Sequence, residues 1–119
     1  KDKKTYTIFS YEHLRKLYSE KELDDYSDKR KALGIHSKGI HVHKPYFAKA
    51  GLDNLTERRF LPPETFPFST IEITIFDDKT SIRSLEGTLF GMIIESKHIA
   101  AGMKTIFDFL WAHAQSPTQ

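Results

Sequence analysis

The residues Ile99, Met103, Ile106, Phe107, Leu110 and Trp111 recur at i, i+4, i+7, i+8, i+11 and i+12. That spacing puts one apolar stripe on one helix. Ser96 stands where an N-cap belongs, ready to accept from an orphan N–H of the first turn. Each large side chain on such a stripe contributes roughly 1.5–3 kcal/mol when it leaves water, before ordering entropy is subtracted. The helix therefore needs an apolar layer to lie on.

The rest of the chain predicts that layer as a sheet. Residues 5–10, "TYTIFS", alternate apolar and polar and are rich in β-formers. A short helix over 11–18 follows, with Leu14, Leu17 and Tyr18 on one face. Ser19 and Glu22 form an S-x-x-E capping box, and Tyr18 and Leu23 occupy hydrophobic-staple positions. Leu23, Tyr26, Arg30 and Leu33 then keep helical spacing, Lys29–Lys31 favour the negative end of the dipole, and Gly34 supplies the stop. This second helix is predicted at about 20–33. Residues 35–43 read as a strand that ends before Pro45. A connection follows, with a short helix predicted near residues 52–57 and Pro62, Pro63 and Pro67 as stops. Ile71, Ile73 and Ile75 share one face of a hairpin arm; Glu72, Thr74 and Phe76 share the other. Asp77, Asp78 and Lys79 make its turn. "TLFGMIIES" is nearly all apolar and reads as a central strand covered on both faces. The fold class is α/β, a mixed β-sheet with packed helices.

With 119 residues and 39% hydrophobic content the chain suffices for one domain, 1–119. No apolar run approaches membrane-spanning length, so no membrane partner is expected. No secretory signal is visible at the start. The first residue is Lys, and the chain reads as a piece of a longer protein. The absence of cysteine excludes disulfides, thiolate metal sites and a cysteine nucleophile, and fits a cytoplasmic protein. Eighteen basic residues are interspersed with 16 acidic ones. A duplex-gripping domain carries a concentrated basic face instead.

Two histidines, His41 and His43, sit one residue apart on the strand over 35–43. An H-x-H pair places both imidazoles on one side, about 7 Å apart at the Cα atoms. Zinc or iron would need a third ligand, and none of His13, His36, His98 or His113 forms a second half-motif. The ordinary reading is a half-exposed strand face that tolerates histidine. A phosphoryl-transfer role for "HVHK" fails on geometry, because adjacent residues on a strand point to opposite faces. "FDDK" reads as turn chemistry rather than a paired-carboxylate metal site. Arg58 and Arg59 can pair with Glu57 or Glu64, or hold an anion. No G-x-S-x-G, P-loop or G-x-G-x-x-G occurs. No catalytic residue, metal or cofactor is expected; the candidate ligand-binding residues are His41, His43, Arg59 and Glu72.

The segments "YSDKRKALGI", "LTERRFLPPETFPF" and "IEITIFDDKTSIRSLEGTLFGMIIESKHIAAGMKTIFDFLWAHA" follow one another along the chain. In that order they resemble the C-terminal regulatory domain of TrmB-like transcriptional regulators. The resemblance covers nearly the whole chain; "RRFLP", the "DDK" turn, "GMIIES" and "IFDFLW" are its most specific parts. It implies a phospholipase D-like half-domain, downstream of a winged-helix DNA-binding domain that is outside this chain. Active phospholipase D relatives carry H-x-K on a strand that corresponds to residues 70–76. Here that strand reads "TIEITIF", with Glu72 and Thr74 on its exposed side and neither His nor Lys. The resemblance thus implies a catalytically silent domain, no enzyme. It would sense a small-molecule effector (a sugar or phosphorylated metabolite), form a homodimer, or do both, touching DNA only through the missing N-terminal domain. A small metal-dependent or phosphoryl-transfer enzyme using His41 and His43 is the rival from another class, and a ligand-free dimerisation module is the third.

Overall fold

The computed structural model describes residues 3–45 and 55–117. Along the chain run β1 (Lys3–Phe9), α1 (Tyr11–Leu17), α2 (Glu20–Ala32), β2 (Ile35–Val42), β3 (Thr56–Leu61), β4 (Ile71–Phe76), β5 (Lys79–Ser84), β6 (Gly91–Glu95) and α3 (Lys97–His113). The strands form one sheet in the order β3-β2-β1-β4-β5-β6. β1, β2 and β3 are mutually parallel, while β4, β5 and β6 join antiparallel. The molecule is the mixed, helix-packed sheet that the sequence predicts.

Local chemistry explains the element ends. Parallel β1 and β2 need a crossover, and α1 and α2 supply it. The Ser19 hydroxyl accepts from the Glu22 N–H at 3.0 Å, and the Glu22 carboxylate accepts from the Ser19 N–H at 2.8 Å, so the capping box closes in both directions. Beyond α2, Gly34 takes φ +72°, a backbone that any Cβ would strain. Ser96 caps α3 by accepting from the Ile99 N–H. The β4–β5 hairpin turns on Asp77 and Asp78, with Asp77 left-handed at φ 53°; Lys79 already belongs to β5.

Register then assembles the core. Ile8 stands beside Ile40 on one side and Ile73 on the other. On this face α3 lays Ala100 and Phe107 against Ile8, Ile40, Leu61 and Ile75. Phe107 is fully buried, meets Tyr6 edge-on at 5.3 Å and stacks on Trp111 at 5.7 Å. The opposite face carries Thr7, Phe9, His41, Phe60, Glu72 and Arg83, in register across five strands.

Four features differ from the sequence pattern. Residues 56–61 form strand β3 rather than the end of a short helix; residues 52–54 of that predicted helix lie outside the described residues. The hydrogen-bonding edge of β2 recruits "TERRFL", burying Thr56, Phe60 and Leu61. β6 is an edge strand and not a central one, since its apolar run is exposed along most of its length. The α3 stripe is split: Phe107 is buried while Ile99 and Ile106 stay exposed. Finally, α2 is anchored by a cation instead of an apolar stripe. Tyr26 and Leu33 are exposed, whereas Arg30 is buried. Its guanidinium donates to the carbonyls of Ile35 (2.6 Å) and Leu55 (3.0 Å) and to the Thr56 hydroxyl (2.7 Å), tying α2 to β2 and β3.

Candidate functional site

The face opposite α3 holds the polar chemistry of the molecule. Counting back equally from the Asp77–Asp78 turn pairs Glu72 of β4 with Arg83 of β5. Both side chains point to this face. The Arg83 Nε donates to Glu72 Oε1 at 2.6 Å, and its Nη2 approaches the same oxygen. Arg83 Nη1 donates to the Tyr18 hydroxyl at 2.9 Å, and the guanidinium lies 5.5 Å from the centre of the Tyr18 ring. Burial works against the Arg83 charge, but Glu72 and Tyr18 outweigh it and raise its pKa. Gly91 of β6 faces Arg83, and a Cβ there would stand 3.4 Å from the Arg83 Cγ. The missing side chain leaves room for the arginine stem to lie across the strand.

Beside this network is a cleft of about 230 Å3 between the end of α1 and the β5–β6 connection. Leu17, Leu89 and Phe90 supply apolar walls; Tyr18 and Arg83 supply polar groups. A guanidinium has five N–H donors. Three are engaged with Glu72 and Tyr18, which leaves donors for an anionic or hydroxylated ligand.

A second polar chain braces the same corner. The Ser10 hydroxyl lies 2.9 Å from His13 Nδ1, and His13 Nε2 lies 2.9 Å from Glu86. The order Ser, His, carboxylate resembles a nucleophile relay. The Ser10 hydroxyl, however, is buried and caps α1 by accepting from the His13 N–H. The chain pins α1 to the β5–β6 connection and presents no accessible nucleophile.

The four residues singled out from sequence do not converge. His41 is only 5% exposed, contrary to the half-exposed face that the pattern predicts. Its ring sits among Phe9 at 4.4 Å, Phe60 at 5.6 Å and Tyr11 at 6.2 Å. Strands β1 and β3 flank β2 and close aromatic rings over it. Burial, with Arg58 and His43 acting the same way, holds its pKa well below the ordinary value. His43 lies one residue past β2, and its Nδ1 is 2.8 Å from the Lys44 carbonyl oxygen. Arg59 belongs to the other face, where it donates to the Trp111 carbonyl at 2.9 Å and stacks 4.7 Å over the Trp111 ring. It fastens α3 to β3. Glu72 is buried at 8% exposure, not on an exposed side, because Arg83 and Tyr18 cover it. Among the described residues, no three His, Asp or Glu side chains gather closely enough to hold a metal ion.

Tyr18, Arg83, His13 and Glu86 were not among the residues marked from sequence. The Glu72–Arg83 pair has a sequence signal, since the Asp-Asp turn fixes the hairpin register. The approach of Tyr18 has none, because it depends on how α1 settles on the sheet.

No protein-family model matches the sequence, and no curated protein matches it. Among solved structures, the fold is similar to TrmBL2, described as an archaeal chromatin protein with a novel mode of DNA binding. The TM-score is 0.60 at 16% identity. The match covers 95% of this chain and 45% of TrmBL2, so this chain spans less than half the length of that protein. No helix among the described residues is long and apolar enough to cross a membrane.

Proposed function

We propose that this chain is a non-catalytic regulatory domain of a TrmB-like DNA-binding protein, serving effector sensing, assembly, or both. The carrying observation is the fold likeness to TrmBL2 across 95% of the chain. The interspersed charges support the same reading, since they leave DNA contact to another part of the polypeptide. The effector site is the cleft between Tyr18 and Phe90, with Arg83 as its polar anchor. Its volume suits one sugar ring or a small phosphorylated metabolite. Aromatic faces pack against a sugar, and the guanidinium donates to hydroxyl or phosphate oxygens.

Two measurements test this. The gene product extended upstream of Lys1 is expected to shift duplex DNA in a gel, while the 119-residue chain alone does not. Comparable binding by both would overturn the assignment. A thermal-shift panel of sugars and sugar phosphates tests the cleft. A ligand at a hundredfold its Kd adds about 2.7 kcal/mol of stability. That gain is expected to vanish in Phe90→Ser, whose side chain is exposed and carries no core packing.

A further inference from the structure

The two edges of the sheet are built differently. β3 carries Glu57, Arg58 and Arg59, and Phe60 exchanges backbone hydrogen bonds with Gln115 beyond α3, at 2.7 and 2.8 Å. Charge and a covering segment are how proteins keep an edge from pairing. β6 has neither. It reads Gly-Met-Ile-Ile-Glu, without proline, lysine or a break in register. Among the described residues it pairs with β5 alone.

The hydrogen-bond phase of β6 is fixed at both ends. The Ser84 N–H donates to the Phe90 carbonyl, and the Ser96 N–H donates to the Asp78 carbonyl. Antiparallel ladders alternate, so the even-numbered residues between them bond β5. Gly91, Ile93 and Glu95 therefore turn their N–H and C=O groups outward.

The flanking surface is apolar. Seven of the nine exposed large hydrophobic side chains among the described residues fall between positions 89 and 109. Ile93 is 63% exposed on the face opposite α3. Met92 stands beside Ile82 on the α3 face, with Ile99, Ile106 and Phe109 exposed on α3 itself, so apolar side chains flank the edge on both faces. A monomer rarely leaves such a concentration uncovered.

We propose that β6 is the edge through which two copies of this chain join, antiparallel, across a two-fold axis at Ile93. The inference rests on the assembly half of the proposed function and names its surface. In that register Ile93 meets Ile93 of the partner subunit, and Gly91 meets Glu95 of the partner subunit. Both pairings use outward-facing groups, so the three residue pairs form about six backbone hydrogen bonds. The one charge in the strand, Glu95, meets a glycine, and no like charges oppose each other. On α3 the exposed positions Ile99, Gly102, Ile106 and Phe109 are uncharged, while Lys104 and Asp108 pair with each other off that stripe. A neutral surface that matches its own copy is what an isologous interface requires.

Sedimentation velocity of the 119-residue chain at about 100 µM, a hundredfold above a micromolar Kd, tests the proposal. The parent is expected to sediment as a dimer. Ile93→Lys and Ile93→Glu, each alone, place like charges face to face and are expected to halve the mass. An equal mixture of the two is expected to restore dimers, because lysine then meets glutamate. Circular dichroism and a melting temperature measured on dilute samples confirm that each variant is folded. A monomeric parent would overturn both this proposal and the assembly half of the proposed function. Variants that remain dimeric would overturn only the choice of face, and a mixture that stays monomeric would overturn the two-fold at Ile93.

Discussion

Glu72 and Arg83 face each other across the β4–β5 ladder, with the guanidinium Nε 2.6 Å from the carboxylate. Glu72 is buried, and the Arg83 side chain is 39% exposed. Removing the arginine strands a buried carboxylate; removing both charges strands nothing. Arg83→Met is therefore expected to cost about 1–3 kcal/mol, with solvent screening already discounted. Glu72→Gln combined with Arg83→Met is expected to recover most of that loss. Urea unfolding of the two single variants and the double variant closes the cycle. Additive losses would show that the pair is not coupled.

Two neighbours on α3 have opposite environments. Phe107 is fully buried against Tyr6 and Trp111, while Ile106 is exposed. Phe107→Ala is expected to cost about 3–5 kcal/mol, the transfer loss plus the cavity it leaves. Ile106→Ala is expected to stay within about 0.5 kcal/mol when the chain is dilute enough to remain monomeric. Denaturant midpoints for the two variants decide the matter. Equal losses would mean that α3 is rotated on the sheet.

Those two residues also show what the sequence could reveal. Periodicity placed both on one stripe, and correctly marked where α3 lies and where it starts. It could not split the stripe, because α3 leaves half of its apolar arc beyond the part of the sheet that it covers. β6 follows the same logic. "GMIIE" has the composition of a strand covered on both faces, and composition does not reveal which neighbours are present. The capping box of α2, its glycine stop and the hairpin turn were legible because they depend on residues a few positions apart. Strand β3 was not, because "TERRFL" owes its conformation to pairing with β2. The candidate site divides similarly. Glu72 was marked and its partner Arg83 was recoverable from the hairpin register. The burial of His41 required knowing that β1 and β3 flank β2.

Thr80 has no exposed surface, and its hydroxyl finds no hydrogen-bond partner among the described residues. It sits on the face that α3 covers, opposite Ile75. An unsatisfied buried hydroxyl costs stability, and valine has nearly the same shape without it. Thr80→Val is expected to stabilise the domain by about 1–2 kcal/mol, read as a higher urea midpoint at unchanged slope. A loss of comparable size would show that the hydroxyl is bonded in solution.

His41 gives the domain an acid limit. Burial, reinforced by Arg58 and His43, keeps its imidazole neutral well below the usual pKa. In the unfolded chain the same ring titrates near its ordinary value of about 6.5. Between those two values the unfolded state binds more protons than the native state. The contribution of His41 to stability is therefore fully present above about pH 6.5, and it falls as the pH drops toward the lowered native pKa. His41→Phe keeps an aromatic ring among Phe9, Tyr11 and Phe60 and removes the titration. The parent is expected to lose stability between about pH 7 and about pH 5 more steeply than the variant does, by at most the slope of one proton. Comparing the two chains isolates the His41 contribution, because the substitution leaves the groups remote from this ring in place. Parallel curves for parent and variant would place the His41 ring in water rather than beneath the aromatic residues of β1 and β3.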